Sequence, residues 1–205
     1  MKTILTCTAA LLLLTAFQGL KSENPAGEWI SLFDGKSLKD WKVNENPATF
    51  TVADGAIVAH GDRSHLFYDG PVMDHNFKNF EFKAKVMTTP GSNSGIYIHT
   101  AFLAEGFPPK GYEIQVNNSH TDWRRTGSVY GFQDIKVPPA KDDVWFTVTI
   151  IVNKNKIVVK INDQTVNDFT AGEGSKLSSG TFALQGHDPN SKVFYKDIMV
   201  KLLPD

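Results

Sequence analysis

The sequence predicts an all-β protein, a two-sheet antiparallel β-sandwich of the jelly-roll type. From Trp29 onward, apolar residues recur with the period of two that is typical of strands, not with the helical period of 3.6. Turn-forming pairs such as Asp54-Gly55 and Pro90-Gly91 separate the apolar runs. About a dozen short strands in roughly 180 residues suit two packed sheets, since each sheet must cover the apolar face of the other.

The individual strands are recognised by alternation between apolar and polar positions. The apolar positions are Phe82, Ala84 and Val86; Ile96 and Ile98; Tyr112, Ile114 and Val116; Phe146, Val148, Ile150 and Val152; Ile157, Val159 and Ile161; and Phe182 and Leu184. Residues 102–110 and 117–125 break the alternation, and the sequence predicts long loops there. Long loops on a rigid sandwich are common binding sites.

The first residues predict a secretory signal peptide. Lys2 is followed by an uncharged, mainly apolar run that ends near Phe17, shorter than the roughly 20 residues that span a bilayer. Cleavage is expected between Ala16 and Ser22, which gives approximate segments of 1–21 for the signal peptide and 22–205 for a single sandwich domain. The alternative is a retained membrane anchor. The mature protein is expected in the periplasm or outside the cell, with no membrane partner.

The composition argues against several classes of function. Cys7, the only cysteine, lies inside the predicted signal peptide, so no disulfide, thiolate nucleophile or zinc–thiolate site is expected in the mature chain. Twenty-one basic and twenty-two acidic residues give a net charge of −1, which argues against a nucleic-acid partner. The G-x-S-x-G, P-loop and dinucleotide motifs are absent, and no organic cofactor is expected.

Three predicted strands carry unusual side chains at the positions that face away from the core. These are Tyr97 and His99, Glu113 and Gln115, and Gln185 and His187. If the three strands share a sheet, these groups line one concave surface. Such a surface suits a sugar, because aromatic rings stack on C–H faces and planar polar groups bind hydroxyls in pairs. Trp123, Arg124 and Tyr130 lie close by in sequence and are candidates for the same surface.

Each of these side chains also has a purely structural interpretation. The histidines would be hydrogen-bonded surface groups, and Glu113 would be an ordinary solvated strand residue. Trp123 would cover the loop, and Arg124 would form a surface ion pair with Asp122 or Asp134.

The other histidines permit two further interpretations. His60, His65 and His75 are scattered among predicted turns and are interpreted as structural. A divalent metal is possible as a cofactor, although no short-range ligand spacing supports it. Its candidate ligands are His99, Glu113, His120 and His187.

Five segments together resemble one family. They are WISLFDGKSLKDW (29–41), SGIYIH (94–99), GYEIQV (111–116), GSVYG (127–131) and LQGH (184–187). The chain resembles, over about residues 28–203, the 3-keto-disaccharide hydrolase family, also described as 3-keto-glucoside 1,2-lyase/3-keto-2-hydroxy-glucal hydratase domains. The resemblance implies a concanavalin-like sandwich, related in shape to laminarinase-type β-glucanases. It also implies a secreted enzyme that cleaves 3-keto-glycosides, with an oligosaccharide or glycoside as its substrate.

The strand at 112–116 departs from the paired acids of the glucanases. It carries one acid, Glu113, and the position two residues later, where the glucanases have their second acid, is the amide Gln115. Hydrolysis that uses two carboxylates is therefore disfavoured. A ketone at C3 acidifies the C2 hydrogen, and elimination followed by hydration then needs one base, an oxyanion stabiliser and an acid.

The resemblance therefore implies a set of roles. Glu113 or a neighbouring histidine would be the base, and His187 the acid. His99, Arg124 or a metal would stabilise the enolate oxygen. The sugar would be held by Tyr97, Gln115, Trp123, Tyr130 and Gln185.

Two other functions are compatible with the same fold, because fold does not determine function. One is a non-catalytic carbohydrate-binding module. The other is an interaction domain that uses an exposed sheet edge and has no affinity for sugars.

Overall fold

The computed structural model describes residues 27–205, and the predicted signal peptide with Cys7 lies outside that range. The described part contains thirteen strands: β1 (Trp29–Ser31), β2 (Trp41–Val43), β3 (Phe50–Ala53), β4 (Ala56–His60), β5 (Ser64–Tyr68), β6 (Phe80–Thr88), β7 (Ser94–Thr100), β8 (Tyr112–Val116), β9 (Phe146–Asn153), β10 (Lys156–Ile161), β11 (Gln164–Thr170), β12 (Thr181–Gly186) and β13 (Lys192–Leu202). Two short 3-10 turns lie at Pro47–Thr49 and Val72–His75. Across residues 27–205, no helix is long and apolar enough to cross a membrane.

The strands form two antiparallel sheets packed face to face. The larger has eight strands in the order β11-β10-β9-β6-β13-β4-β3, with β1 paired to part of β13. The smaller has five strands in the order β2-β5-β12-β7-β8. The predicted all-β sandwich is thereby confirmed, and the three strands with unusual outer residues, β8, β7 and β12, are neighbours in the smaller sheet.

The core lies between the two sheets, where the alternating apolar residues meet. The ring of Phe182 on β12 packs against Phe80 and Phe82 of β6, with centroid distances of 4.9 and 4.8 Å. Leu66 and Ile96, on the strands flanking β12, are fully buried on the same inner face. Burying one such side chain contributes about 1.5–3 kcal/mol, and truncating Phe182 to alanine is expected to cost about 3–5 kcal/mol.

Register places a second set of side chains on the outer face of the smaller sheet. On β7, Tyr97 pairs with Glu113 and Gly95 pairs with Gln115. On β12, Gln185 pairs with His65 of β5. Because successive strand residues alternate between faces, polar and aromatic groups from four strands meet on this surface. The loops at 101–111 and 117–145 border it.

Candidate active site

A cavity of about 320 Å³ opens on the outer face of the five-stranded sheet. Strand residues form its polar floor, and aromatic side chains from the neighbouring loops form its rim. The floor includes Asn93, Tyr97, Glu113, Gln115 and Gln185, the rim includes Phe107, Tyr130 and Phe132, and Lys176 and His187 also line the cavity. A cavity with aromatic side chains and a small number of well-placed polar groups is typical of small-molecule sites.

Glu113 provides the carboxylate of this floor. The Tyr97 hydroxyl donates to its Oε2 at 2.9 Å, and the Gln185 Nε2 donates to its Oε1 at 3.1 Å. Gly95 on the adjacent strand makes room for it, since a Cβ there would lie 2.3 Å from Oε1. Burial raises the pKa of Glu113 to about 7, against the opposing effect of the hydrogen bonds from Tyr97 and Gln185. A carboxylate with a pKa near neutrality is suited to general base chemistry.

Tyr97 remains a proton donor under all ordinary conditions. Burial, together with the nearby Glu113, raises the pKa of Tyr97 far above its usual range. Its hydroxyl also accepts a hydrogen bond from the Gln185 Nε2 at 3.1 Å. Glu113, Tyr97 and Gln185 therefore form a closed triangle in which both neutral residues donate to the carboxylate.

Two amide oxygens in the floor are buried without a hydrogen-bond partner. They are Oε1 of Gln115 and Oε1 of Gln185. The other end of each amide is engaged, because Gln115 donates to the Asn93 Oδ1 at 2.8 Å and Gln185 donates to Glu113. Unpaired buried acceptors cost free energy in the folded protein, and a ligand hydroxyl that donates to either oxygen would require that side chain to turn toward the cavity.

His187 lies at the edge of the cavity beside two further polar residues. Its Nδ1 lies 2.7 Å from the Asp188 Oδ2, and its ring makes an edge contact with the His120 ring at 5.5 Å between centroids. Burial tends to raise the pKa of Asp188, but hydrogen bonds from His187, Ser191 and Asn190 outweigh it, so the pKa lies below its usual value. With its proton on Nδ1, His187 donates to the Asp188 carboxylate.

A metal centre fits these residues poorly. His120, His187 and Asp188 bring one potential ligand atom each within 4.8 Å of the others, and this is the one such group found within residues 27–205. The Nδ1 of His120, however, accepts the backbone N–H of Asp122 at 3.0 Å, so the neutral ring carries its proton on Nε2. That nitrogen has no lone pair for a metal. The predicted ligand set also differs, because it included His99 and Glu113.

Tyr130 lines the cavity, whereas Trp123 and Arg124 lie behind it. The Arg124 guanidinium is placed over the rings of Trp123 (4.8 Å) and Tyr130 (4.5 Å). Its Nε donates to the Asp134 Oδ2 at 3.1 Å, and a second nitrogen lies 3.6 Å from the Asp122 Oδ1. The guanidinium is therefore engaged with both aspartates considered as its structural partners. It supports Tyr130, whose hydroxyl donates to the Asp122 Oδ2 at 3.2 Å.

His99 is absent from the cavity because β7 contains a bulge at that point. Thr100 pairs with Thr181 and Tyr97 pairs with Ala183, so β7 uses one more residue than β12 between these pairs. His99 itself has a φ of +52°, in the left-handed region. A bulge of this kind redirects the side chain, so alternation counted from Tyr97 gives the wrong face.

The ring of His99 is buried on the core side of the sheet. It packs edge-on against Phe80 at 5.6 Å between centroids. Its Nδ1 accepts the Ser178 N–H at 3.2 Å, and its Nε2 lies 2.8 Å from the Lys78 carbonyl oxygen. Burial lowers the pKa of His99, so the ring is neutral and donates from Nε2. The prediction that His99 faces outward with Tyr97 is wrong, and His99 is not among the residues that line the cavity.

Several residues that line the cavity are absent from the set predicted from the sequence. Phe107 and Phe132 stand 49% and 52% exposed at the rim, on loops without a periodic pattern. Lys176 approaches from the segment before β12, with its Nζ 5.6 Å from the centre of the Phe132 ring. Asn93 precedes β7, where continued alternation from Gly95 and Tyr97 would have identified it.

Solved structures of other proteins share this fold. A proposed glycosyl hydrolase from Parabacteroides distasonis superimposes with a TM-score of 0.71 at 21% identity, over 86% of this chain and 94% of that one. A Bacillus subtilis protein of unknown function with a galectin-like fold gives 0.63 at 12%, over 87% and 96%. A carbohydrate-binding module from Bacillus subtilis gives 0.60 at 11%, over 79% and 95%. At these identities the likeness is one of fold.

The sequence itself matches one protein family. A search of curated proteins finds no significant match. The model of the 3-keto-alpha-glucoside-1,2-lyase-like domain, in contrast, matches residues 28–201. This span includes every strand that contributes to the cavity and agrees with the family that the five sequence segments resemble. The chain therefore belongs to the family of 3-keto-alpha-glucoside-1,2-lyase-like domains.

Proposed function

We propose that the protein cleaves 3-keto-glycosides by elimination across C1 and C2 followed by hydration, with Glu113 as the base. The observation that carries this proposal is the environment of Glu113. It is the one carboxylate among the residues that line the cavity, and its pKa is about 7. One base suffices for removal of a hydrogen acidified by a neighbouring ketone, whereas ordinary glycoside hydrolysis uses two carboxylates.

In the first step Glu113 takes the C2 proton and an enolate forms at C2–C3. Once Glu113 is protonated, it no longer needs both donors, Tyr97 and Gln185. Their hydrogen bonds can then turn toward the enolate oxygen, and Lys176 at the cavity wall adds a positive charge. Hydrogen bonds that form to the enolate oxygen only as the proton is transferred stabilise the transition state more than the bound substrate.

In the second step the C1–O bond breaks and the leaving oxygen takes a proton. Protonated His187 donates it from Nε2, while its Nδ1 stays 2.7 Å from the Asp188 Oδ2. Water then adds its hydroxyl to C1 of the 3-keto-2-hydroxy-glucal, the remaining proton of that water goes to the Nε2 of His187, and C2 regains a proton from Glu113. The net result is hydrolysis. Gln115 and Gln185 accept hydrogen bonds from the sugar hydroxyls through their free oxygens, and Tyr130 packs on the ring.

The proposal is tested by incubating the protein with both anomers of methyl 3-keto-glucoside and identifying products by NMR. Glu113→Gln is expected to reduce turnover about 100- to 10,000-fold, as is typical for loss of a general base. Glu81→Gln is the matched control, because Glu81 lies on the larger sheet in an ion pair with Lys201. Near-normal turnover by folded Glu113→Gln would overturn the assignment. In the wild type, kcat/KM is expected to rise with pH as Glu113 loses its proton, with a midpoint near the Glu113 pKa of about 7.

A non-catalytic carbohydrate-binding module is the second candidate. It is favoured by the fold shared with the Bacillus subtilis module and by the unpaired neutral acceptors of the floor. Calorimetry with methyl glucoside and methyl 3-keto-glucoside separates the two functions. Binding of either sugar without any turnover would support the module.

A further inference from the structure

His65 of β5 is a buried histidine that no protein group satisfies. Its exposure is 0%, and neither Nδ1 nor Nε2 has a hydrogen-bond partner. The ring lies between two aromatic side chains, at 5.3 Å from Tyr97 and 5.6 Å from Phe107 between centroids, both edge-on. Burial lowers the pKa of His65 to about 4, so the ring is neutral. A polar ring that is buried without partners costs folding free energy, and such a cost needs a functional explanation.

The position of His65 continues the floor of the cavity. Its register partner on β12 is Gln185, and the same row of the sheet runs through Gly95 to Gln115. The unpaired Oε1 atoms of Gln185 and Gln115 lie in this row. Unpaired buried polar atoms therefore extend along one row of the sheet, from the open cavity to the ring beneath Phe107.

Phe107 covers His65 from the loop between β7 and β8. That loop is attached by a hydrogen bond from the Asn44 Nδ2 to the Leu103 carbonyl oxygen at 3.2 Å and by one from the Gly106 backbone to Glu45. The Arg63 guanidinium lies on the Phe107 ring at 5.3 Å, and Arg63 is paired with Glu45 at 2.6 Å on the protein surface. The loop segment is bounded by Gly106 (φ +84°) and Gly111 (φ +80°), which adopt backbone conformations that other residues rarely do. Phe107 itself is about half exposed, so its displacement uncovers little apolar core.

We propose that Phe107 is a displaceable cover, and that a sugar ring takes its place above His65 so that His65 and Gln185 hydrogen-bond its hydroxyls. The inference deepens the proposed function, since it extends the same site toward β5. The ligand is a neutral hydroxylated ring, because its hydrogen-bond partners would be the uncharged imidazole of His65 and the amide oxygen of Gln185 rather than charged side chains. His65, interpreted from the sequence as structural, is then a sugar-contacting residue.

The first test replaces the imidazole and keeps an aromatic ring. His65→Phe is expected to leave the Tm unchanged or to raise it, because unpaired nitrogens are removed from a buried position. The KM for methyl 3-keto-glucoside is expected to rise roughly three- to tenfold with kcat little changed, as for loss of one neutral hydrogen bond. A histidine with only a structural role would give the opposite pattern, a lower Tm and an unchanged KM, and that result would overturn the inference.

The second test follows the His65 ring nitrogens by NMR while methyl glucoside or methyl 3-keto-glucoside is added. Shifts at His65 are expected whether or not the sugar is turned over, so this test is independent of catalysis. Shifts confined to His120 and His187 would overturn the inference. Lack of turnover by the wild type would instead contradict the proposed function alone.

The third test removes the cover. Phe107→Ala is expected to move the titration of His65 from about 4 toward its ordinary value of 6.5, because water reaches the ring. Phe102→Ala is the matched control, since Phe102 lies on the same loop but packs on Phe67, at 5.3 Å. An unchanged titration of His65 in Phe107→Ala would show that Phe107 is not the cover.

Discussion

The two outer faces of the sandwich differ in the solvent exposure and the hydrogen bonding of their polar side chains. The eight-stranded sheet carries the larger cavity, about 460 Å³, lined by charged residues such as Lys83, Lys85 and Asp197. Lys85 and Asp197 form an ion pair at 3.1 Å with both side chains about half exposed. Among the described residues that line this cavity, none has a buried unpaired polar atom. The polar groups that line this cavity are therefore paired with one another or exposed to solvent.

The five-stranded sheet keeps its polar groups away from water instead. Glu113 is desolvated enough to raise its pKa to about 7, and the oxygens of Gln115 and Gln185 have no partner. These features cost stability, and proteins retain such costs at functional sites. The proposed function assigns the chemistry to the smaller of the two cavities. The desolvation of its polar groups, and not its volume, is the criterion for that assignment.

After Glu113→Gln itself, the largest effect is expected from filling the space beside Glu113. Gly95→Ala would place a Cβ 2.3 Å from the carboxylate Oε1 and force the base to move. Displacing a catalytic group by about 1 Å costs roughly 100-fold in turnover. The measurement is kcat on methyl 3-keto-glucoside. Gly172→Ala, where a Cβ meets nothing within 4 Å, is the control, and equal activity of the two variants would contradict the assigned position of the base.

The next largest effect is expected in the free energy of unfolding, measured at two pH values for variants of the two outer faces. The pKa of Glu113 in the folded state lies above its ordinary 4.5, so the folded protein binds the proton more tightly and loses stability as pH rises from about 4.5 through 7. Glu113→Gln removes that penalty. It is expected to raise the free energy of unfolding at pH 8 by at most about 3 kcal/mol and to change it little at pH 4.

Urea unfolding of the wild type and both glutamate variants provides the measurement. Glu81→Gln on the other face breaks an ion pair with Lys201 near the surface and is expected to cost about 0–1 kcal/mol at pH 8. A variant Glu113→Gln that is less stable than the wild type at pH 8 would contradict this prediction. The ionised carboxylate would then stabilise the fold instead of destabilising it.

A smaller effect is expected from the aromatic rim. Phe132→Ala is expected to raise the KM for methyl 3-keto-glucoside roughly three- to tenfold, the equivalent of one aromatic contact. Trp29, which lies under Lys83 at 4.1 Å on the other face, supplies the control variant Trp29→Ala. Initial rates over a range of substrate concentrations give both KM values. Similar values in Phe132→Ala and the wild type would remove Phe132 from the sugar site.

The smallest effect is expected from metal removal. Because the proton of neutral His120 lies on Nε2, dialysis against EDTA is expected to leave turnover unchanged. Activity measured before and after dialysis, with zinc added back, checks this. Loss on dialysis and recovery with zinc would make His120, His187 and Asp188 a metal centre.

Periodicity sufficed to predict the sandwich because each sheet must hide one face. It also placed Tyr97, Glu113, Gln115 and Gln185 on a common outer surface, since alternation is strict where no bulge intervenes. His99 was misplaced because its bulge depends on a single backbone angle, φ +52°, which the sequence does not signal. His65 was overlooked because its position follows from register with β12, and long-range register is not visible in a local pattern.

Loop residues could be predicted least. Phe107 and Phe132 reach the cavity through the path of irregular backbone, which neither alternation nor turn chemistry determines. The family resemblance supplied the reaction that we propose, and the structure showed the surroundings of Glu113 on which that proposal rests.

The most direct test of the account is the fate of the C2 hydrogen. Methyl 3-keto-glucoside with deuterium at C2 and the unlabelled sugar are turned over side by side, their rates are compared by NMR, and samples without protein or with Glu113→Gln correct for spontaneous exchange. Removal of the C2 hydrogen by Glu113 predicts slower turnover of the deuterated sugar, whether the abstracted hydrogen is exchanged with water or returned to C2. Equal rates for the two sugars, with all of the deuterium kept at C2 of the product, would contradict the account.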